Sequence, residues 1–282
     1  MARAPDQLSS ALYASRLRLQ LCERNRAYAQ RLGLVTHESY GQPPSVCYQP
    51  GEDGASHGNF LAQSYRAILR NPNWHQRLLK VHTSQRTALP RHDRRWRELD
   101  TCTSSDALLM NIFCYPGLRR DGRLLKQLGV DPSSLAEFGV RVKVPLAGGR
   151  GDGTEADMRL GDLLVEAKLT ESDFQSREAA TLAHYRDFEH AFDLALLPRS
   201  GDRLLGYQLI RNVLAAYASG ESFCLMCDAR RPDLQELWYR VMRAVVPAEL
   251  RVRCKLFTWQ EIASVVPLPL LQFLQDKYGI SE

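Results

Sequence analysis

The amino-acid sequence predicts an α/β fold, in which a mixed sheet is flanked by helices and preceded by an N-terminal helical extension. Three observations predict it. Phe138 to Leu146 alternates apolar and charged residues, Glu155 to Lys168 has the pattern of a hairpin, and Ser222 to Cys227 is an apolar run of strand length. A helical pattern from Leu204 to Tyr217 precedes that last run. Strands that alternate with helices in this order are typical of a sheet covered by helices.

The elements before the sheet are predicted to be helical. The first helix extends from Gln7 to Leu32 and ends at Gly33, and the Gly-, Pro- and Ser-rich segment from Tyr40 to Asn59 is predicted to be a loop. Further helices are expected at residues 60–69, 74–81, 106–114 and 120–128. Ser104 or Ser105 can cap the third of these. We therefore expect two regions: a helical, basic one over residues 1–100 and a sheet-containing domain over residues 101–282.

The elements after the hairpin alternate between helix and strand. Residues 174–196 are predicted to be mostly helical, and the Leu204–Tyr217 helix and the Ser222–Cys227 strand follow. Arg251 to Phe257 alternates basic and apolar residues, which predicts a half-buried strand. Thr258 and Glu261 have the spacing of a capping box for a final helix.

Composition narrows the class of protein. The 282 residues are 44% hydrophobic, which is enough to build a core, and no apolar run approaches the ~18 residues of a membrane span. The N-terminus lacks the apolar region of a secretory signal, and the seven cysteines have no disulfide-framework spacing. We therefore expect a cytoplasmic protein with reduced thiols and no membrane partner.

The distribution of charge points to a nucleic-acid partner. Residues 1–100 carry 15 Lys and Arg against 8 Asp and Glu, whereas residues 101–282 carry 22 against 24. A basic cluster around Trp96, from Arg91 to Leu99, could contact a phosphate backbone or stack on a base. The alternative is a solvated helical surface with the tryptophan buried.

The hairpin from Glu155 to Lys168 gathers charge on one predicted face. Gly161-Asp162 is a two-residue turn of the kind that matches strand twist. Counting outward from this turn, Asp157 lies opposite Glu166, and Glu155 lies opposite Lys168. Because side chains alternate along a strand, these four are expected on one side, with Ala156, Met158, Leu160, Leu163, Val165 and Ala167 on the core side. Like charges placed opposite each other are destabilising without a cation between them.

A divalent cation explains this cluster of acids. Mg2+ (or Mn2+) takes oxygen ligands from one or two carboxylates and leaves positions for water and phosphate oxygens. We expect Asp157 and Glu166 to be metal ligands, the backbone carbonyl of Ala167 to be a third, and Lys168 to be the catalytic cation. Glu155 could hold a second metal or pair with Lys168. The alternative is a solvated hairpin face with a cross-strand ion pair.

At these residues the chain resembles the PD-(D/E)XK nuclease superfamily, which has the restriction-endonuclease-like fold. Asp157, Glu166 and Lys168 match the motif, with Ala156 in place of its proline. From about Leu108 to the C-terminus the chain resembles one group of uncharacterised restriction-endonuclease sequences, through the segments NIFCYPG (111–117), VEAKLTESDF (165–174) and YQLIRNVLA (207–215). The resemblance implies a metal-dependent nuclease.

The resemblance also implies residues that contact the substrate. The helix after the Glu-x-Lys strand often turns a glutamine or a basic residue toward the substrate phosphates, a place that Gln208 and Arg211 could fill. Arg230 and Arg231, at the end of the apolar strand, could also touch phosphate, and Asp106 could lend a further acid to the metal site. DNA is the expected substrate rather than RNA, and a homodimer is one assembly left open. The alternatives are a nuclease-fold module that binds nucleic acid without cutting it and a nuclease that cuts RNA.

Overall fold

A computed structural model describes residues 5–39, 43–80, 97–171 and 173–281. In chain order the elements are α1 (Pro5–Leu32), β1 (Thr36–Glu38), β2 (Val46–Tyr48), α2 (Ala62–Arg70), α3 (Pro72–Arg77), a 3-10 turn (Glu98–Asp100), α4 (Ser105–Phe113), α5 (Pro116–Asp121), α6 (Arg123–Leu128), β3 (Ala136–Pro145), β4 (Gly151–Leu160) and β5 (Leu163–Ala167). They continue with β6 (Ser176–Glu178), α7 (Ala179–Leu182), α8 (Phe188–Ala191), β7 (Arg199–Ser200), β8 (Arg203–Leu205), α9 (Tyr207–Ser219), β9 (Ser222–Cys227), α10 (Pro232–Arg243), α11 (Ala248–Arg253), β10 (Cys254–Thr258), α12 (Trp259–Ala263) and α13 (Leu268–Tyr278).

The main sheet confirms the predicted α/β class with a mixed sheet flanked by helices. Its five strands lie in the order β10-β9-β5-β4-β3. β4 and β5 are antiparallel, whereas β5 pairs with β9, and β9 with β10, in parallel. β9 has the bounds predicted for the apolar run, and all six of its residues are buried. A central strand with apolar side chains on both faces needs cover on both, which explains its composition.

The chain divides into two compact units. The first comprises Met1–Ala14 and Gly139–Thr258, and the second comprises Ser15–Phe138 and Trp259–Glu282. These bounds differ from the predicted division at residue 100, which concerns domains rather than compact units and stays a prediction. No helix among the described residues is long and apolar enough to cross a membrane.

The core of the first unit lies between its sheet and the helices that follow β5. Leu164 of β5 and Phe223 and Leu225 of β9 pack in one buried cluster with Val213 of α9 and Trp238 of α10. Because Leu164 and Glu166 are two residues apart on one strand, this helix-covered face is also the face of Glu166. The polar groups of α9 that reach this face therefore lie beside the Glu-x-Lys strand.

The segment from Tyr40 to Asn59, which was predicted to be a loop, contains the short strand β2, paired with β1. After the hairpin, two further predictions of secondary structure are wrong. Residues 174–196 contain β6 and two short helices rather than one long helix, and β6 forms a second sheet in the order β6-β8-β7. Gln175 adopts a φ of 61°, which a right-handed helix cannot accommodate, and its carbonyl accepts the N–H groups of Gly206 and Tyr207 at the start of α9. The second error concerns Arg251 to Arg253, which belong to α11 because Pro247 and Ala248 begin a helix whose Leu250 is fully buried.

Candidate active site

The β4–β5 hairpin has the register predicted from its sequence. Met158 pairs with Val165, Arg159 with Leu164, and Leu160 with Leu163, on either side of the Gly161-Asp162 turn. Gly161 has a φ of 62°, which glycine adopts without strain. The paired residues end at Met158 and Val165, and Asp157 and Glu166 are the next residues along the two strands.

Glu166 and Lys168 form a buried ion pair at the end of β5. Lys168 Nζ lies 2.7 Å from Glu166 Oε1, and the two side chains are only 8% and 6% exposed. The backbone N–H of Lys168 donates to the carbonyl of Met226 on β9, at 2.8 Å, so the residue is fixed to the neighbouring strand. The ammonium also lies 5.6 Å from the centroid of the Phe174 ring. Both side chains are therefore held in one orientation.

Three carboxylates act on the Lys168 ammonium. Burial alone lowers the pKa of Lys168, but the negative charges of Glu166, Glu171 and Asp157 and the hydrogen bond to Glu166 outweigh it, so that the pKa lies above its usual value. Lys168 is consequently a cation at neutral pH. Glu171 is a residue that the sequence analysis did not assign, although it lies three positions after Lys168 within a segment singled out for its resemblance.

Asp157 reaches across the hairpin to the Glu-x-Lys strand. Its Oδ2 accepts the backbone N–H of Ala167 at 2.8 Å. Asp157 is half-buried, and its charge acts on Lys168. Asp157 therefore lies near Lys168, and its role as a metal ligand stays a prediction.

Glu155 is exposed and lies between two buried residues of β4, Thr154 and Ala156. Thr154 bonds the side chain that also holds Glu166, and Ala156 packs in the same core cluster as Leu164. Because neighbouring side chains of a strand point to opposite sides, Glu155 is expected on the other side from these two residues. Its role as a ligand of a second metal or as a partner of Lys168 stays a prediction.

Asn212 of α9 is the second partner of Glu166. Its Nδ2 donates to Glu166 Oε2 at 2.9 Å, and its Oδ1 accepts from Thr154 Oγ1 at 3.0 Å. Asn212 is 4% exposed and Thr154 is 3% exposed. Neither residue was predicted to belong to the site. The signal in the sequence is that Asn212 follows Gln208 by four positions and therefore lies on the same face of the helix.

Arg211 and Gln208 lie on the same helix as Asn212. Arg211 donates to Thr154 Oγ1 at 2.8 Å and to Tyr207 Oη at 3.3 Å, and it lies 3.5 Å from Asp152 Oδ2. Its side chain is 22% exposed. Gln208 is half-buried, and the backbone N–H of Gln208 donates to the carbonyl of Phe174 at 2.9 Å. Their role in binding nucleic acid stays a prediction.

Arg231 cannot bind a phosphate in this structure, and that prediction is wrong. The residue is fully buried. Its guanidinium pairs with Asp233 at 2.8 Å and donates to the carbonyls of Glu171 at 2.7 Å and Leu169 at 3.3 Å. Arg231 therefore fixes the turn that follows Lys168, which is a structural role.

Arg230 differs from its neighbour in exposure. It forms a bidentate pair with the fully buried Asp228, at 2.7 Å and 2.6 Å, while its own side chain is 31% exposed. A phosphate could reach it, and its role in binding stays a prediction.

Asp106 lies in the second compact unit, at the start of α4. Its Oδ2 accepts from Arg77 at 2.8 Å and from Lys80 at 2.9 Å, and its side chain is 3% exposed. Ser104 caps the helix by accepting the N–H of Ala107, as predicted. The basic cluster from Arg91 to Leu99 lies, except for Arg97 to Leu99, outside the described residues.

The donor atoms of the site fit a magnesium ion only as a pair of carboxylates. Among the described residues, no group of three or more His, Cys, Asp or Glu side chains could hold a metal ion. Two carboxylate ligands, from Asp157 and Glu166, are nevertheless enough for Mg2+, because this ion keeps several waters and substrate oxygens as its other ligands. Glu166, Glu171 and Asp157 all act on the Lys168 ammonium beside this pair.

The mixed sheet, its hairpin with the Glu-x-Lys strand and the flanking helices define a protein of the restriction-endonuclease-like class. The sequence profile of the family described as "Restriction Endonuclease associating with ARP" matches residues 24–279. The chain belongs to this family, which confirms the resemblance noted from its motifs. Nuclease is the functional class that the family description gives. No curated protein and no solved structure matches the chain.

Proposed function

We propose that this protein hydrolyses phosphodiester bonds of DNA in the presence of Mg2+ or Mn2+, with Asp157, Glu166 and Lys168 as its catalytic residues. The observation that carries the proposal is the buried contact of 2.7 Å between Lys168 and Glu166, with Asp157 and Glu171 acting on the same ammonium. Charged groups are almost never buried together without a functional or structural need. DNA is favoured over RNA because the family is one of restriction endonucleases.

Asp157 and Glu166 would hold the metal ion, and the backbone carbonyl of Ala167 is the third candidate ligand. When bound, the ion would polarise the phosphoryl group and lower the pKa of a water molecule. Glu171 adds a negative charge to the same site from the turn after β5. Glu155 is not part of this proposal.

Lys168 acts as a cation and not as a base. Because the carboxylates raise its pKa, the ammonium has no free pair of electrons at neutral pH with which to take a proton from water. It can donate hydrogen bonds instead, which orient the attacking water or offset the negative charge that develops on the phosphate oxygens.

The substrate backbone would extend from this site toward α9. Arg211 is partly exposed and joined to Glu166 through Thr154 and Asn212, so a phosphate near Arg211 would lie close to the catalytic residues. Gln208, one helical turn away, and Arg230 are further candidates for contact with the nucleic acid.

The proposal is tested with labelled double-stranded DNA, single-stranded DNA and RNA, each incubated with Mg2+, Mn2+ or EDTA. Lys168→Met, which keeps the length of the side chain but removes the charge, should abolish metal-dependent cutting of DNA, as should Asp157→Ala. Lys143→Met is the matched control, because Lys143 is an exposed lysine of β3. Lys168→Met should still bind Mn2+ at least as tightly as the wild type, since the site then lacks one positive charge.

A second candidate function is a nuclease-fold module that binds nucleic acid without cutting it. It is favoured by the pairing of Lys168 with Glu166, which satisfies both charges without a metal ion. Tight binding of DNA with no cutting of any substrate would support the module. Cutting of RNA alone would replace DNA as the substrate, and metal-dependent cutting that survives both Lys168→Met and Asp157→Ala would remove the site assignment.

A further inference from the structure

Both oxygens of the Glu166 carboxylate have buried partners. Lys168 occupies Oε1 and Asn212 occupies Oε2. The terminal torsion of a glutamate is otherwise broad, so two donors on two different oxygens fix the plane of the carboxylate. Lys168 is a member of the proposed catalytic set, whereas Asn212 has no role in it.

The orientation of the Asn212 amide is determined by hydrogen bonds that run in one direction. Arg211 has only donors, and its Nη2 contacts Thr154 Oγ1 at 2.8 Å. The Thr154 hydroxyl can then donate a hydrogen bond to Asn212 Oδ1, at 3.0 Å. With Oδ1 accepting, the NH2 group of Asn212 faces Glu166 Oε2, which as a carboxylate oxygen only accepts. The direction of each hydrogen bond therefore fixes the direction of the next one, from Arg211 through Thr154 and Asn212 to Glu166.

We propose that Asn212 is a positioning residue that fixes the carboxylate plane of Glu166, and that Thr154 holds Asn212 in the orientation this requires. The expected effect of this positioning on catalysis rests on the proposed function, whereas the hydrogen-bond geometry does not depend on it. A side chain that orients a metal-binding carboxylate in this way typically changes metal affinity or activity by about 10–100-fold when it is lost.

The central comparison is between Asn212→Leu, which removes the amide but keeps a side chain of similar size, and Ser219→Ala. Ser219 lies on the same helix, and its hydroxyl bonds the carbonyl of Ala215 at 2.9 Å, so this change is a control for altered α9 polarity. We expect Asn212→Leu to lower kcat about 10–100-fold and to weaken Mn2+ binding, measured by calorimetry, by a similar factor. KM for DNA should stay within about 2-fold, since the side chain contacts Glu166 and not the substrate.

Thr154 provides a second pair of variants that does not depend on Asn212→Leu folding. Thr154→Val keeps the shape and removes the hydroxyl, so it should shift kcat and Mn2+ affinity in the same direction as Asn212→Leu. Thr154→Ser keeps the hydroxyl and should retain values near those of the wild type. If Thr154→Val and Thr154→Ser lowered kcat and Mn2+ affinity equally, the loss would follow from the changed methyl group as much as from the hydroxyl. That result would overturn the role given to the hydroxyl.

The Glu166→Gln background shows whether Asn212 acts through Glu166. Asn212→Leu should weaken Mn2+ binding no further there, because residues that act as a unit are not additive. A further loss equal to that in the wild-type background would overturn the proposal.

The geometry is tested without any catalytic readout by the side-chain amide resonance of Asn212, which Asn212→Leu identifies by its disappearance. It should shift in Glu166→Gln and in Thr154→Val, and not in Ser219→Ala. If the wild type neither cuts nor binds Mn2+ but the resonance shifts as described, the proposed function fails and the positioning contact stands. If the resonance is unmoved by Glu166→Gln, the positioning role is refuted whatever the chain cuts.

Discussion

Arg231→Met should destabilise the protein strongly without acting on nucleic-acid binding directly. Arg231 is fully buried and lies 2.8 Å from Asp233, whose side chain is 6% exposed. Methionine fills much of the same volume but leaves the Asp233 carboxylate without its cation. Breaking a buried pair by removing one partner costs about 3–5 kcal/mol, because the remaining charge is uncompensated.

Two further bonds are lost in the same variant. Arg231 Nη1 donates to the carbonyls of Glu171 and Leu169, and a buried acceptor without a donor costs about 1–3 kcal/mol. These contributions share one guanidinium and do not add in full, so we expect a loss of about 4 kcal/mol in the free energy of unfolding. For a chain of this size that corresponds to a melting temperature lower by roughly 10 °C.

Urea unfolding followed by circular dichroism measures this loss, and Arg186→Met is its control. Arg186 pairs with Asp187 at the same distance, 2.8 Å, but its side chain is 58% exposed, so its loss should leave the urea midpoint unchanged within error. In the Arg231→Met background, Asp233→Asn should restore part of the stability, because it removes the uncompensated charge. A variant that keeps wild-type stability and loses only DNA affinity would refute the structural role and restore Arg231 as a phosphate ligand.

Two further predictions concern the second compact unit. Burial lowers the pKa of Lys277 well below its usual value, so between the two pKa values the unfolded chain binds one proton more than the folded chain. The free energy of unfolding should therefore rise as the pH increases toward the usual pKa of lysine. It should fall as the pH decreases toward the pKa of the folded state, by up to about 1.4 kcal/mol per pH unit. Lys277→Met should flatten this dependence in urea midpoints measured from about pH 6 to about pH 9. Asp106→Ala, which leaves Arg77 and Lys80 without their shared carboxylate, should lower the free energy of unfolding by about 3–5 kcal/mol in the same assay.

Local rules predicted the parts of the fold that depend on neighbouring residues. The turn at Gly161-Asp162 fixes the register of the hairpin, so Leu160 could be matched to Leu163 by counting alone. β9 could be delimited because five apolar residues follow Ser222 and turn signals bound the run. The Ser104 cap was predictable for the same reason, since a cap bonds a residue three positions ahead.

Contacts between distant residues were not predictable from periodicity. Asn212 meets Glu166 across 46 positions of sequence, and Thr154 meets Asn212 across 58. Only the packing of α9 on the sheet brings them together, and no repeat of 2 or 3.6 residues encodes that packing.

The charge cluster was first explained by a metal ion, because like charges opposite each other require a cation. The structure supplies one cation from the chain itself, since Lys168 lies 2.7 Å from Glu166. Repulsion between Asp157 and Glu166 therefore does not by itself demand a metal. Asp157 and Glu171 act on the same ammonium as Glu166 does. The proposal of Mg2+ therefore rests on Asp157 and Glu166 as a pair of carboxylate ligands, which this ion accepts because it keeps several waters and substrate oxygens. It no longer rests on the opposition of two like charges.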